Sequence, residues 1–409
     1  MKRIICLFKR FFVCLLLLFT GITSIFAQRS NKSFDNSALD SIDIFLLTCT
    51  PHNEIYSLYG HTSIRIIDHR TGDDIAVNFG VFDSTSDNFV LRFVFGLTDY
   101  MMATCDFTRF LDEYRYYGSG VYQQHINFSR QEKAEFLSAL YENARPENVV
   151  YRYNFLYNNC TTKARDIILN ALDGKVDYKP TLLQRGDLSF RQMTHLKNAD
   201  HPWAAFGNDL LLGVNADRPL NHDLRQFLPE VLKNDFDSAT VIMPDGSKKT
   251  LVDSSTWVLT SGTPYQVADS MEFPLSPKTM AILFSCAILS LCIAQLRLLK
   301  KRLLWVNYCI ILIYSLFGFI LGAMLFSKHP TVSFNLQILI LNPLFMFIAF
   351  PKLHFKWRWH VMLSFIFLFY LGNIFQSYAE GMNIVALSLL MIVLTNLAFE
   401  HYGHLAGEK

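Results

Sequence analysis

Hydrophobic and polar positions divide the 409-residue chain into three parts. Four basic residues and the apolar run "FFVCLLLLFTGITSIF" come first, a region of mixed polarity extends to about residue 275, and long apolar runs follow. The first part is typical of a secretory signal peptide cleaved after Ala27. Ile25 is large for its place in such a cleavage site, which leaves an uncleaved anchor as the alternative. In either case the mixed region is predicted to be exported.

Four segments follow from this pattern. They are a signal peptide over 1–27, an exported core over 28–175, an exported extension of helices and a hairpin over 176–275, and a membrane domain over 276–409. The length of the exported region suits one hydrophobic core with a helical addition.

Periodicity predicts both strands and helices in the exported region. Alternating polarity favours strands at "DIFLLTC", around His61, around Asn78 and at "GVYQQHINF". A helix is predicted over "RQEKAEFLSALYENA", where Ser129 and Glu132 fit a capping box, and another from Cys160, with Asn158 or Asn159 as N-cap. The stretch "TVIMPDGSKKTLVDSS" indicates a hairpin with an Asp-Gly turn. The exported region is therefore expected to have an α+β fold.

The membrane domain is predicted to contain five transmembrane helices, because five apolar runs begin after about Thr279. Basic residues cluster after the first run (297–302) and after the third (352–358), whereas the loop after the second contains Lys328. Since basic loops concentrate on the cytoplasmic side, the exported region is expected to lie outside and the C-terminal tail inside. The net charge of +2 and the absence of a basic tract give no indication of nucleic-acid binding.

Three of the eight cysteines, Cys49, Cys105 and Cys160, lie in the exported region. Because three is odd, at least one thiol stays outside any internal disulfide, and it is Cys160 if Cys49 and Cys105 pair. The sequence has no C-x-x-C motif and no closely spaced His/Cys cluster, so a zinc site has little support, and we expect no cofactor.

Cys160 is the candidate nucleophile. A thiol at the start of a helix is ionised more readily by the helix dipole, and nearby backbone N–H groups can stabilise an oxyanion. His61 is the candidate base, since it shares the less apolar face of its predicted strand and follows Gly60. A small core cysteine and a surface histidine are the alternatives. Asn78 is the possible orienting group, with His69 and Glu54 as rivals.

The ordered pair "YGHTSIRI" and "YNFLYNNCTT", followed by a multi-span region, resembles the Lnb family of bacterial lipoprotein N-acyltransferases. The stretch "FGNDLLLGVNADRPLNHDLRQFLPEVL" is similar to the helical part of that family's periplasmic domain. The order of histidine strand and cysteine helix also resembles circularly permuted papain-like folds of the NlpC type. These resemblances imply a papain/NlpC-like core in the periplasm, anchored to the bacterial inner membrane.

The Lnb resemblance also implies a reaction. It is the transfer of an acyl chain to the N-terminal amine of a diacylglyceryl-cysteine lipoprotein. As its mechanism we expect that His61 deprotonates Cys160, which takes the chain from a membrane phospholipid as a thioester and passes it to that amine. We expect Tyr59, Asn159 and Thr161, which flank the candidate pair, to contact substrate. Aromatic stretches such as "FVLRFVFGLTDYMM" suit either an acyl groove or ordinary core. The residues alone leave open a cysteine hydrolase, acting on lipids or on peptidoglycan peptides, and a non-catalytic envelope scaffold.

Overall fold

The computed structural model describes residues 36–52, 57–82, 87–179, 186, 188–263, 273–350, 352 and 357–407. The predicted signal peptide and the rival catalytic residue Glu54 lie outside the described residues.

An antiparallel sheet of seven described strands forms the centre of the exported region, in the order β10-β5-β1-β2-β3-β4-β6. All four strands predicted from alternation are confirmed, because they form β1, β2, β3 and β5. The strands are β1 (Ile42–Cys49), β2 (His61–Asp68), β3 (Asp73–Val81), β4 (Asp99–Asp106), β5 (Val121–Ile126), β6 (Val150–Arg152) and β10 (Val252–Leu259).

Helices cover both faces of this sheet. The exported helices are α1 (Asn36–Leu39), α2 (Phe89–Val94), α3 (Phe107–Tyr116), α4 (Arg130–Asn143), α5 (Cys160–Asn170), α6 (Phe190–His195), α7 (Pro202–Leu211), α8 (His222–Arg225) and α9 (Pro229–Ser238). Ile44 and Leu46 of β1 join a core with residues of α4, α5 and α9, whereas Phe45 and Leu47 join a second core with residues of α3. This division follows from the two-residue period of a strand.

The described residues of the 176–275 stretch form helices, the predicted hairpin and strand β10, which belongs to the large sheet. Strands β7 (Lys175–Asp177), β8 (Thr240–Ile242) and β9 (Lys248–Thr250) form a small antiparallel sheet, with Gly246 at φ +83° in the turn between β8 and β9. The helical part is fixed by Arg191, whose buried guanidinium bonds Asp209 and Asp217 at 2.9 Å each. A buried charge needs such partners to offset its desolvation.

The membrane domain contains α10 (Pro277–Ile293), α11 (Leu304–Met324), α12 (Phe345–Ile348), α13 (Arg358–Gly372) and α14 (Met382–Gly407). A π-helical segment, Ala294–Leu299, extends α10. Among the described residues, three helices are long and apolar enough to cross a membrane, namely Pro277–Leu299, Leu304–Met324 and Met382–His401. The length and composition of these helices indicate that this part of the chain crosses a membrane.

The prediction of five transmembrane helices is not confirmed. The third apolar run forms a 3-10 helix, Leu336–Leu339, and the short α12, instead of one continuous helix. Pro343 lacks the N–H that would continue a helix, and Gln337 is buried and bonded outside its own turn. At 15 residues, α13 is also shorter than the roughly 20 residues that a straight span needs.

The loop after α11 binds the exported region directly. The N–H groups of Gly213 and Val214 donate to the carbonyls of Thr331 and Phe334 at 2.7 and 2.9 Å. A Cβ at Gly213 would lie 2.2 Å from the Phe334 oxygen, so only glycine fits this contact. The two domains are thus joined by backbone hydrogen bonds beside the helical extension.

Candidate active site

Cys160 is the first residue of α5, as the sequence predicts. Asn159 is the N-cap, since its Oδ1 accepts the Thr162 N–H at 2.9 Å while its own N–H donates to Thr162 Oγ1 at 2.9 Å. This reciprocal capping box fixes the backbone on both sides of the cysteine.

The amide of Asn159 also connects α5 to the rest of the exported region. Its Nδ2 donates to the carbonyl oxygens of Phe155 and Phe227 at 2.8 and 2.9 Å. Asn159, which was expected to contact substrate, is only 4% exposed and uses both ends of its side chain in these bonds. The contacts support a role in holding the turn before Cys160.

His61 is the first residue of β2 and lies opposite Cys49 of β1. The preceding Gly60 has φ +78°, and a Cβ there would come within 2.7 Å of the Cys49 carbonyl oxygen. A larger residue would therefore push the start of β2 away from β1, and His61 with it.

Asn78 of β3 lies next to His61, as expected of an orienting group. The His61 Nε2 and the Asn78 Oδ1 are 3.0 Å apart, and since the amide oxygen only accepts, Nε2 is the protonated nitrogen. This leaves Nδ1 for Cys160. The rival His69 instead bonds Asp43 at 2.8 Å on the exposed end of β2.

The electrostatics of the pair favour the thiolate. Burial opposes ionisation of the Cys160 thiol, but the adjacent His61 imidazole, then the Thr62 N–H and the Thr161 hydroxyl, lower its pKa to about 7. Burial likewise disfavours the imidazolium, yet the Cys160 thiolate and Asn78 together raise the pKa of His61. The arrangement can therefore hold a thiolate–imidazolium pair near neutral pH.

The other two exported cysteines differ from Cys160. Cys49 and Cys105 are free thiols, so the disulfide considered from the sequence is not formed. Burial raises the pKa of both thiols. Neither is ionised near neutral pH, which leaves Cys160 as the thiol with nucleophilic character in the described part of the exported region.

Thr161 and Tyr59 occupy different positions around the pair. Thr161 is buried, with its hydroxyl 3.1 Å from that of Thr62 and 3.9 Å from the Cys160 sulfur. The Tyr59 hydroxyl accepts the side-chain amides of Asn198 and Asn208 at 2.7 Å each, so it binds the helical extension.

Sequence reasoning missed the aromatic wall beside Cys160. A Cβ at Gly80 would lie 3.8 Å from the Cys160 Cβ and 3.6 Å from the Tyr153 ring. Tyr153 stacks on Tyr100 at 4.0 Å, and Tyr100 stacks on Phe82 at 4.8 Å. The aromatic stretch that includes Tyr100 is predicted to form either an acyl groove or ordinary core, and its place beside Gly80 depends on the register of β3 and β4, which the sequence does not show.

Within the described ranges, no group of three or more His, Cys, Asp or Glu side chains is arranged to hold a metal ion. What the site offers chemically is a thiol nucleophile, an oriented imidazole and the backbone N–H groups of a helix start.

Comparison with known proteins identifies two family domains. Residues 29–193 match the Lnb N-terminal periplasmic domain, and residues 268–402 match the Lnb transmembrane domain. No curated protein matches the chain. No solved structure matches it either. With both domains in the family's order, the chain belongs to the Lnb family and is a membrane protein with a periplasmic N-terminal domain.

Proposed function

We propose that this protein is a lipoprotein N-acyltransferase of the bacterial inner membrane, with Cys160 as nucleophile, His61 as general base and Asn78 as orienting group. The observation that carries the proposal is the Cys160 thiol, whose pKa is lowered to about 7 beside an imidazole held by Asn78. Membership in a family of lipoprotein-processing envelope proteins supports the choice of substrate.

The first half-reaction forms a thioester. The Cys160 thiolate attacks an ester carbonyl of a phospholipid, so that a sulfur–carbon bond forms and the ester carbon–oxygen bond breaks. The His61 imidazolium gives its proton to the departing alkoxide, which leaves as a lysophospholipid. The attack places a negative charge on the former carbonyl oxygen. Because α5 begins at Cys160, the backbone N–H groups of its first turn can stabilise this oxyanion.

The second half-reaction releases the enzyme. The N-terminal amine of a diacylated lipoprotein attacks the thioester, a carbon–nitrogen bond forms, and the carbon–sulfur bond breaks. His61 takes the proton from the amine, which restores the thiolate–imidazolium pair. The products are a lysophospholipid and an N-acylated lipoprotein, and the two steps need no further reactant.

The proposed core is a circularly permuted papain-like domain. An antiparallel sheet carrying the histidine on an early strand, with a later helix that begins at the cysteine, supports this arrangement. Its connection to the membrane domain would keep Cys160 near the outer leaflet, where both substrates present their head groups.

The test is intact-protein mass spectrometry of the purified full chain after incubation with phospholipid. We expect the native chain to gain an acyl mass that hydroxylamine removes, and Cys160→Ser to gain none that is hydroxylamine-labile. Addition of a diacylated lipopeptide should then clear the adduct and yield N-acylated peptide. Release of free fatty acid at the same rate without the lipopeptide would instead indicate a hydrolase, and absence of every product would contradict a lipid-acylated cysteine.

A further inference from the structure

The proposed acyl transfer requires the enzyme to distinguish two lipids. Both the phospholipid donor and the diacylglyceryl group of the acceptor contain fatty acyl esters that a thiolate could attack. The two differ at the third glycerol carbon, where the donor carries a phosphodiester and the acceptor a thioether to its N-terminal cysteine. A binding site for phosphate near Cys160 would therefore select the donor.

Two arginines at the edge of the sheet meet one carboxylate. Arg92 of α2 and Arg152 of β6 each bond Asp99, at 2.8 Å to its two different oxygens. Arg152 also donates to the Gly96 carbonyl at 3.3 Å. Two guanidinium groups and one carboxylate leave one excess positive charge. Guanidinium donors match phosphate oxygens in geometry, and Arg92 and Arg152 remain accessible with side chains 42% and 49% exposed.

Exposed apolar side chains lie near this arginine pair in the sequence and in the strand register. We call them the donor surface: Leu91, Phe93, Leu97, Met101 and Val150. Met101 and Val150 are register partners directly beside the Asp99–Arg152 pair. A contiguous apolar surface with basic groups in it is typical of contact with phospholipid, since hydrocarbon takes the apolar part and the phosphate takes the charge.

The donor surface is continuous with the membrane domain. The Lys328 N–H donates to the Phe95 carbonyl at 3.0 Å, and His329 Nε2 lies 3.2 Å from the Phe93 carbonyl. Just before this loop, at the end of α11, Phe326 is 77% exposed. The surface therefore begins where a membrane-spanning helix ends, which identifies bilayer lipid as its occupant.

An aromatic stack lies between the nucleophile and the same edge of the sheet. Tyr100 follows Asp99 along β4 and therefore points to the opposite, buried face, where it stacks between Phe82 and Tyr153, whose ring lies beside Gly80 and Cys160. The Arg152 carbonyl accepts the Asn158 side chain at 2.8 Å, in the turn that precedes Cys160. Arg152 and the thiol thus lie on the same short segment of chain, and Asp99 holds Arg92 next to Arg152.

We propose that Arg92 and Arg152 bind the phosphate of the donor phospholipid, while the donor surface lies against the outer leaflet and the ester passes the edge strand β6 to reach Cys160 beside the Phe82–Tyr100–Tyr153 stack on the other face of the sheet. This proposal rests on the proposed function. It makes the arginine pair a specificity determinant for the donor and leaves the chemistry to Cys160 and His61.

The test measures thioester formation on Cys160 in the full-length protein with two donors. One is phosphatidylethanolamine in vesicles, and the other is diacylglycerol with the same acyl chains, carried in an ether lipid that has no ester to transfer. We expect the native protein to prefer the phospholipid. In the double variant Arg92→Gln/Arg152→Gln, the phospholipid rate should fall about tenfold or more while the diacylglycerol rate stays unchanged. Arg92→Lys/Arg152→Lys should retain part of the preference, because the charge remains.

Arg115→Gln is the matched control, since Arg115 is an exposed arginine that also pairs with an aspartate, Asp112. It should leave both rates unchanged. An equal loss with both lipids, or no loss with either, would overturn the arginine proposal. The thermal unfolding midpoint of the double variant would show whether an equal loss reflects misfolding. If it does, the single variants Arg92→Gln and Arg152→Gln replace it, and each is expected to weaken the preference for phospholipid over diacylglycerol.

Native mass spectrometry separates this proposal from the proposed function. If the native chain forms no thioester with any lipid, the acyltransferase proposal fails. Retention of phosphatidylethanolamine by the native chain and its loss in the double variant would still support the arginine site. Retention of added inorganic phosphate in place of the phospholipid would overturn the assignment to a lipid headgroup.

Discussion

At the scale of single residues, burial raises the pKa of all three exported thiols, but only at Cys160 do neighbouring groups outweigh it. There the His61 imidazole overcomes burial and lowers the pKa of Cys160 to about 7. Because the thiolate fraction rises with pH through the pKa, alkylation of Cys160 by iodoacetamide should be half-maximal near neutral pH, with Cys49 and Cys105 unlabelled there.

The His61→Ala variant tests the source of that shift. Without the imidazole, burial alone raises the pKa of Cys160, so its alkylation profile should move to higher pH. At about pH 6 to 7 the labelling rate should fall roughly tenfold or more, since each unit of pKa changes the thiolate fraction tenfold. Peptide mapping of the labelled full chain gives the site. An unchanged profile would mean that the helix start, not His61, controls the ionisation.

Asn78 should act on the reaction through His61. Asn78→Ala removes the acceptor for the His61 Nε2–H, and since a hydrogen bond to a charged group contributes about 1.5–3 kcal/mol, thioester formation should slow by about tenfold or more. Asn78→Asp keeps an acceptor and should retain more activity. His69→Ala is the control, because His69 bonds Asp43 away from the pair. A larger loss of rate in His69→Ala than in Asn78→Ala would indicate that His69, not Asn78, orients the His61 imidazole.

At the scale of elements, the cap that stabilises the start of α5 also positions Cys160, the first residue of that helix. Asn159→Ala removes the N-cap and both bonds to the carbonyls of Phe155 and Phe227, so we expect a loss of about 2–3 kcal/mol in the free energy of unfolding. Asn221→Ala is the matched control. Asn221 caps α8 through its bond to the Leu224 N–H at 2.9 Å, and its loss should destabilise by about 1 kcal/mol. Denaturant unfolding of the full chain measures both, and equal losses would contradict the structural role of the Asn159 amide.

Local signals made some elements predictable and left others hidden. The Ser129–Glu132 capping box and the start of α5 were readable, because they depend on residues three apart in the chain. The third apolar run is not confirmed as one continuous helix, because Pro343 interrupts it, a break that hydropathy alone does not show. His61 and Asn78 were proposed together, but their distance depends on strand pairing. The wall around Gly80 depends on a β-bulge between Asn78 and Val81, which no local pattern indicates.

At the scale of the whole molecule, two groups of contacts support the predicted orientation. Arg302 and Arg358, from the two basic loops, both pair with Glu400 of α14, so these loops lie on one side. The loop at Thr331 bonds Gly213 of the exported region, on the other side. Reporter fusions after Arg302 should therefore read as cytoplasmic and fusions after Pro330 as periplasmic. A cytoplasmic signal at Pro330 would contradict both the topology and the domain contact.

His329 connects the membrane domain to residues 154–160, the catalytic segment, which ends at the proposed nucleophile Cys160. Its Nδ1 lies 3.2 Å from the Asn154 Nδ2, and its Nε2 lies 3.2 Å from the Phe93 carbonyl. An amide nitrogen donates and a carbonyl accepts, so this arrangement requires the neutral, Nε2-protonated imidazole. Burial lowers the pKa of His329, which favours that form. Asn154 in turn accepts the N–H groups of Leu156 and Tyr157, in the turn that leads to Cys160.

Replacing His329 should therefore separate delivery of lipid from the chemistry of the thiol. In His329→Ala, thioester formation from vesicle phospholipid should fall about tenfold, because the two lost hydrogen bonds no longer hold the catalytic segment against the membrane loop. Acylation of Cys160 by a short, water-soluble ester and its alkylation at neutral pH should stay unchanged, since His61 and Asn78 are untouched. An equal loss with the soluble ester would mean that His329 supports the catalytic pair itself. If His329→Ala reacts as fast as the native protein with both vesicle phospholipid and the soluble ester, the exported domain binds its lipid independently of the membrane loop.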